Sequence, residues 1–197
     1  LGIGFEKLDR DTFDPNKAYD KLAQIGVKHI RIQSGWARTE KEKGVHDFAW
    51  LDDIVDNIRS RGMEPWLDLC YGNPLYTPLA IPVFGAVGCP PISTEEEMQA
   101  WLRYVDATVR HFHGRIRLYE IWNEPQRKAA EFYGEVMDLP FPQIEPAMTT
   151  AELRGLTDEY PKRIEALHPD AVMAAGEFTF LFMLVKEEYR KKGTLPE

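Results

Sequence analysis

Three times along this chain an amphipathic helical pattern ends in a glycine and gives way to a short apolar run. That alternation constrains the fold more than any other feature. Ala18, Leu22 and Ile25 keep helical spacing up to Gly26, and Val27, Ile30 and Ile32 then alternate as a strand that runs to Gln33. Trp50, Leu51, Ile54, Val55 and Ile58 form a second stripe ended by Gly62, and Glu64 to Leu69 reads as the next strand. Met98, Trp101, Leu102, Val105, Val109 and Phe112 supply a third helix closed by Gly114, before the apolar-leaning strand Ile116-Arg117-Leu118-Tyr119. Glycine suits these stops because it enters the left-handed region at a helix end without a Cβ penalty.

The remaining segments extend the same pattern. Ile3 to Glu6 can be a first strand, followed by Asp14 as a helix N-cap with Pro15 in the first helical position. Ser93 with Glu96, and Thr149 with Glu152, have capping-box spacing. The helix after Thr149 should run to about His168 with a kink at Pro161. Ala171 to Ala175 reads as a fifth strand and Phe178 to Lys192 as a last helix, ended by Gly193. Strand then helix, repeated, predicts a parallel sheet with right-handed crossovers. No low-complexity tract or linker divides residues 1–197, so they read as one domain. Two long connections, 70–92 and 126–148, have the length at which loops are often functional.

Composition narrows the function classes. With 44% hydrophobic residues in 197, the chain can bury a sizeable core. A formal net charge of −8 and the lack of a basic block argue against nucleic acid or an anionic membrane as partner. No stretch approaches the roughly 20 apolar residues of a membrane span, and no signal peptide is visible. The chain starts at Leu1 without a Met, so a removed leader stays open, and both a secreted or periplasmic and a cytoplasmic location remain open. Cys70 and Cys89 cannot make a disulfide framework, and two free thiols are favoured over a single bridge. His111 and His113 are two apart on a helix and share no face, so no metal site is expected. No Gly-rich phosphate loop follows a strand, which argues against a nucleotide enzyme, and no cofactor is expected.

The segment richest in chemistry is Glu120-Ile121-Trp122-Asn123-Glu124-Pro125. Pro125 cannot donate to a ladder and should stop the fourth strand at the level of Glu124. Asn123 and Glu124 would then arrive together at a strand's C-terminal mouth, where parallel α/β folds place their chemistry. In isolation Asn-Glu-Pro is more often a surface turn. The repeated strand-helix units around it favour the functional reading.

Gly26-Val27-Lys28-His29-Ile30-Arg31-Ile32, the following Trp36, and Trp122-Asn123-Glu124-Pro125 together resemble a retaining glycoside hydrolase of clan A, nearest to family 39 or family 5. The resemblance spans nearly the whole chain and implies a (β/α)8 TIM barrel, of which about five βα units are present. It implies Glu124 as general acid/base, with a second Glu as nucleophile on a seventh strand not contained here. Such chemistry needs one carboxyl that keeps its proton, to protonate the leaving oxygen, and a second carboxylate to attack the anomeric carbon. Burial beside Trp122, Tyr71 or Trp36 would raise the pKa of Glu124. By the same resemblance Asn123 would meet the sugar 2-hydroxyl and Arg31 would orient the nucleophile.

Glu6, Trp36, Tyr71, Asn73 and Trp122 complete the candidate sugar-binding set, each with a structural competitor. Glu6 could be a solvated loop carboxylate, Asn73-Pro74 a turn, and the two tryptophans core residues. Arg31 could pair a structural Asp, and Asp68 more often caps or pairs than catalyses. The implied partner is a glycoside, oligosaccharide or polysaccharide. The remaining strands would come from the rest of a longer chain, from another chain or from self-association. The alternative from another class is a non-catalytic carbohydrate-binding or interaction module that keeps the pocket without the nucleophile.

Overall fold

The computed structural model describes residues 1–77, 80, 94–123, 162–167, 169–170 and 172–173. Five parallel strands lie in sequence order: β1 (Gly2–Phe5), β2 (His29–Gln33), β3 (Glu64–Leu69), β4 (Leu118–Ile121) and β5 (Val172–Met173). Consecutive neighbours joined by crossovers are the arrangement of a (β/α) barrel wall, as expected from the alternation.

The register sorts side chains into two faces. Phe5, Ile32, Leu67 and Tyr119 pair across β1 to β4 in one row, and all four are buried. This row belongs to the layer covered by helices. Arg31, Asp68 and Glu120 occupy alternating positions on the opposite face, because successive strand residues point to opposite sides. The polar residues of these strands are thus confined to the face that would line a barrel's interior.

The helices form from the expected stripes, with shifts. Asp14 Oδ1 accepts from Asn16 N at 3.1 Å and caps a 3-10 turn, Pro15–Lys17, ahead of α1 (Tyr19–Gln24). In α1 the buried pair is Tyr19 and Leu22; Ile25, expected on the core stripe, is 66% exposed, because the helix has ended before it. The segment after β2 contains one helical turn, α2 (Trp36–Thr39). In α3 (Ala49–Ser60) Leu51, Ile54, Val55 and Ile58 are buried as the spacing predicts, with Trp50 only partly covered.

α4 (Glu95–His111) begins one residue later than Ser93 and Glu96 suggest. Thr94 is the cap: Glu97 N donates to its hydroxyl at 3.2 Å, while Thr94 N donates to Glu97 Oε2 at 3.3 Å. Its buried face also differs, because Tyr104 and Thr108 lie inside while Met98 and Leu102 are only half-buried. Polar-tipped side chains can be buried there because each hydroxyl has a partner. Tyr104 O–H donates to Ser34 Oγ at 2.8 Å and Thr108 to the Tyr104 carbonyl at 2.7 Å.

β4 stops earlier than expected and for another reason. It ends at Ile121, and Trp122 has φ +63°, in the left-handed region that disfavours bulky residues. The ladder breaks there, upstream of Pro125. Trp122 is held by its N–H to the Leu69 carbonyl at 3.0 Å and by edge-to-face contacts with Trp101 and Tyr71 at 5.6 and 6.0 Å. Ser93, Glu124, Pro125, Cys89, the second capping box, Pro161, His168, the last helix with Gly193, and most of both long loops lie outside the described residues. Cys70 is a buried free thiol.

A buried carboxylate ties the loop after β2 to the rest. Glu40 accepts from Trp36 Nε1 at 2.5 Å, Tyr76 O–H at 2.6 Å and Gly44 N at 2.7 Å. Burial opposes its charge, but these donors and nearby His46 more than offset that and lower its pKa below the ordinary 4.5. A depressed folded-state pKa stabilises the fold above the unfolded value, and the contribution is lost as pH falls through the lowered one. Glu40→Gln should therefore cost about 2–3 kcal/mol in urea unfolding near pH 7, with the gap closing toward pH 3. A gap of equal size at both pH values would show that the charge of Glu40 is not what binds this loop.

Candidate active site

At the C-terminal ends of β1 to β4 the polar residues converge on a single cation. Arg31, on β2, is 14% exposed at its side chain and reaches along the inner face toward the strand ends. Its Nε donates to Glu120 Oε2 at 2.8 Å and its Nη2 to Glu120 Oε1 at 3.0 Å, a bidentate pair across two strands. Nη2 also lies 3.0 Å from Asp68 Oδ2 and 3.0 Å from Asn123 Oδ1, and Nη1 donates to Glu6 Oε1 at 3.0 Å. Four strands and the turn after β4 thus meet at one guanidinium. Burial works against the charge of Arg31, but Glu120, Asp68 and Glu6 outweigh it, so its pKa is raised.

The three carboxylates are not equivalent. Asp68 and Glu120 are buried, whereas the Glu6 side chain is 44% exposed. Burial pushes the Asp68 carboxyl well above its ordinary pKa of 3.8; Arg31 opposes this, and Glu120 and Glu6 add to it. Asp68 Oδ2 also accepts from the Cys70 thiol at 3.1 Å. The thiol is itself pushed up by burial and by Asp68.

The candidate residues divide into groups. Arg31, Glu6 and Asn123 are together. Tyr71 and Trp122 are buried against each other at the ends of β3 and β4, and the Tyr71 hydroxyl accepts from Gln33 Nε2 at 2.6 Å. Gln33 Oε1 in turn accepts from Lys7 N at 3.1 Å, fixing the chain just after Glu6. Trp36 is not a sugar platform here. It is fully buried, with Tyr76 and Tyr104 stacked on it at 5.2 and 5.7 Å. Asn73 is a turn residue, since its Oδ1 accepts from Leu75 N at 2.9 Å and its Nδ2 donates to the Glu40 carbonyl at 2.8 Å. Glu124 lies outside the described residues.

The expected role of Arg31 changes in one respect. Its Nε and Nη2 are taken up by Glu120, which sequence reasoning had not singled out. The signal was available, because Arg31, Asp68 and Glu120 each place a charge inside a strand of the sheet, and buried charges need one another.

Known proteins of similar sequence and structure share this fold. The family model described as beta-galactosidase matches residues 5–74, which run from the last residue of β1 through β2 and β3 and include Arg31 and Asp68. Beta-galactosidase BgaA of Clostridium cellulovorans is 31% identical over 81 residues, covering 40% of this chain and 11% of that protein. A monomeric beta-xylosidase from Caulobacter crescentus superposes with a TM-score of 0.64 at 19% identity, covering 99% of this chain and 40% of that one. A family 39 glycoside hydrolase from Bacteroides cellulosilyticus gives a TM-score of 0.61 at 18% identity, covering 87% of this chain and 30% of that one. Fold and sequence matches together give the class: residues 5–74 are similar to the beta-galactosidase family, and the strands have the fold found in the barrels of glycoside hydrolases. Within that class, the beta-galactosidase family model matches the segment that carries β2 and β3. The chain spans about a tenth of the length of the relative above.

Arg31→Lys keeps the charge but gives up the planar fork that serves Glu120, Asp68, Glu6 and Asn123 together. It should destabilise the protein by about 2–3 kcal/mol, read as a lower denaturant midpoint with an unchanged slope. An unchanged midpoint would mean that the bidentate geometry contributes nothing.

Proposed function

We propose that the protein to which this chain belongs hydrolyses a β-linked glycoside with retention of configuration, with Glu124 as general acid/base. The observation that carries the reading is the position of Asn123. It joins the Arg31 cluster at the C-terminal end of β4, immediately before Glu124 in sequence. Catalytic groups of (β/α) barrels come from this end of the strands. A β-galactoside is the first substrate to test, because the matching family model and BgaA both carry that name.

In the first step a nucleophilic carboxylate from a later strand bonds to the anomeric carbon. Glu124 delivers its proton to the departing glycosidic oxygen as the C–O bond breaks. In the second step Glu124, now ionised, takes a proton from water as the water oxygen displaces the enzyme carboxylate. The Asn123 amide donates to the sugar 2-hydroxyl, a contact that strengthens as positive charge develops on the ring. Glu6, exposed beside Arg31, offers an acceptor to a further hydroxyl. Arg31 holds Asn123 and Glu120 in place rather than touching the sugar.

The proposal is tested by leaving-group dependence in the full-length protein. Glu124→Gln cannot donate a proton as an acid does, so glycosides with poor leaving groups should lose about 10²–10⁴-fold in rate. Activated aryl glycosides should lose much less in the first step and accumulate a covalent intermediate, because the second step lacks its base. Azide should then restore turnover, giving a glycosyl azide of retained configuration. Equal losses on every leaving group, with no azide rescue, would remove Glu124 from the acid/base role.

A further inference from the structure

Arg31 Nη2 lies 3.0 Å from each of Asp68 Oδ2, Glu120 Oε1 and Asn123 Oδ1. It has three acceptors and only two hydrogens to give. The claim of Glu120 is reinforced by its second contact, to Nε at 2.8 Å, which leaves Asp68 and Asn123 to compete for the other hydrogen. Asp68 is also incompletely satisfied, since its Oδ1 is buried with no hydrogen-bond partner among the described residues. A buried carboxylate with one bare oxygen is costly in its charged form.

We propose that Asp68 is a positioning residue that competes with Asn123 for one Arg31 hydrogen, and that protonation of Asp68 hands this hydrogen to Asn123. The charges facing Asp68 favour that exchange. Glu120 on β4 and Glu6 after β1 share the cation that pairs with it, Arg31 on β2, and among the described residues the Cys70 thiol also donates to it. Three carboxylates around one guanidinium leave an excess of negative charge, and a proton on the fully buried member removes part of it. The raised pKa of Asp68 agrees in direction. With Asp68 neutral, Arg31 fixes the Asn123 amide oxygen and so sets the orientation of the amide N–H₂. With Asp68 ionised, the hydrogen is drawn back and Asn123 loosens. The consequence for catalysis rests on the reading of Asn123 as the ligand of the sugar 2-hydroxyl.

Two measurements separate this inference from that reading. In side-chain NMR of the wild-type protein, the Asn123 amide should shift with the same pH midpoint as the Asp68 carboxyl carbon. The shift should vanish in Asp68→Asn, which mimics the protonated acid. In full-length protein, the ratio of kcat/KM for a β-glycoside over its 2-deoxy analogue should fall about tenfold as pH rises through that midpoint, the loss of roughly one hydrogen bond. In Asp68→Asn the ratio should hold its low-pH value throughout. An Asn123 amide that ignores the titration of Asp68 overturns the inference, as does an equal fall in Asp68→Asn. Coupled NMR shifts with a pH-independent ratio would support the exchange and instead overturn Asn123 as the ligand of the 2-hydroxyl.

Discussion

The structure is organised around one cation held away from water. A guanidinium that is largely buried must be paired on most of its donors, and Arg31 achieves this only if four strand ends arrive at the same height. Glu6 follows β1, Arg31 lies on β2, Asp68 on β3 and Glu120 on β4, and their contacts of 2.8 to 3.0 Å fix the relative register at this end of the sheet. A slip of one residue in any strand would turn its charge into the apolar layer. The cluster therefore specifies the sheet's alignment as well as furnishing its polar end.

Around this centre, aromatic packing sets the angle at which the chain leaves the strands. Trp122 accepts a left-handed backbone that costs on the order of 1–2 kcal/mol, offset by Trp101 and Tyr71 against its ring. That turn breaks the strand's alternation and brings Asn123 back to Arg31. Strain held in place by packing beside a polar cluster is a common signature of functional sites. The shell formed by Trp36, Tyr76 and Tyr104, with Glu40 accepting the indole N–H, fixes the β2 and β3 loops that border the site.

Much of this architecture is legible in the sequence because it depends on periodicity. Helix stripes, their terminal glycines and the parallel order follow from local patterns, and in α3 all of the predicted stripe except Trp50 is buried. What escapes the sequence depends on tertiary partners. The true cap of α4 is Thr94 because it is the residue that finds Glu97 in place, and spacing alone also fits Ser93 with Glu96. Tyr104 and Thr108 enter the core because their hydroxyls have partners, which no apolarity pattern shows. The end of β4 reads as a proline effect, whereas the fold makes it through Trp122 and its aromatic neighbours. Trp36 and Asn73 have the composition of sugar-binding residues, but one is sandwiched in the core and the other closes a turn. Glu120 is the reverse case, a strand carboxylate whose charge is visible in the sequence but whose partner, Arg31, is fixed by the fold.

In the proposed reaction the Arg31 cluster positions Asn123 and Glu124 for glycoside cleavage. The most direct test is a crystal structure of the full-length Glu124→Gln protein with an intact β-glycoside bound. The glycosidic oxygen should lie within hydrogen-bond distance of residue 124 and the 2-hydroxyl at the Asn123 amide, with Arg31 still bidentate on Glu120. A sugar bound away from residues 123 and 124, or Arg31 released from Glu120 to contact the sugar directly, would contradict it.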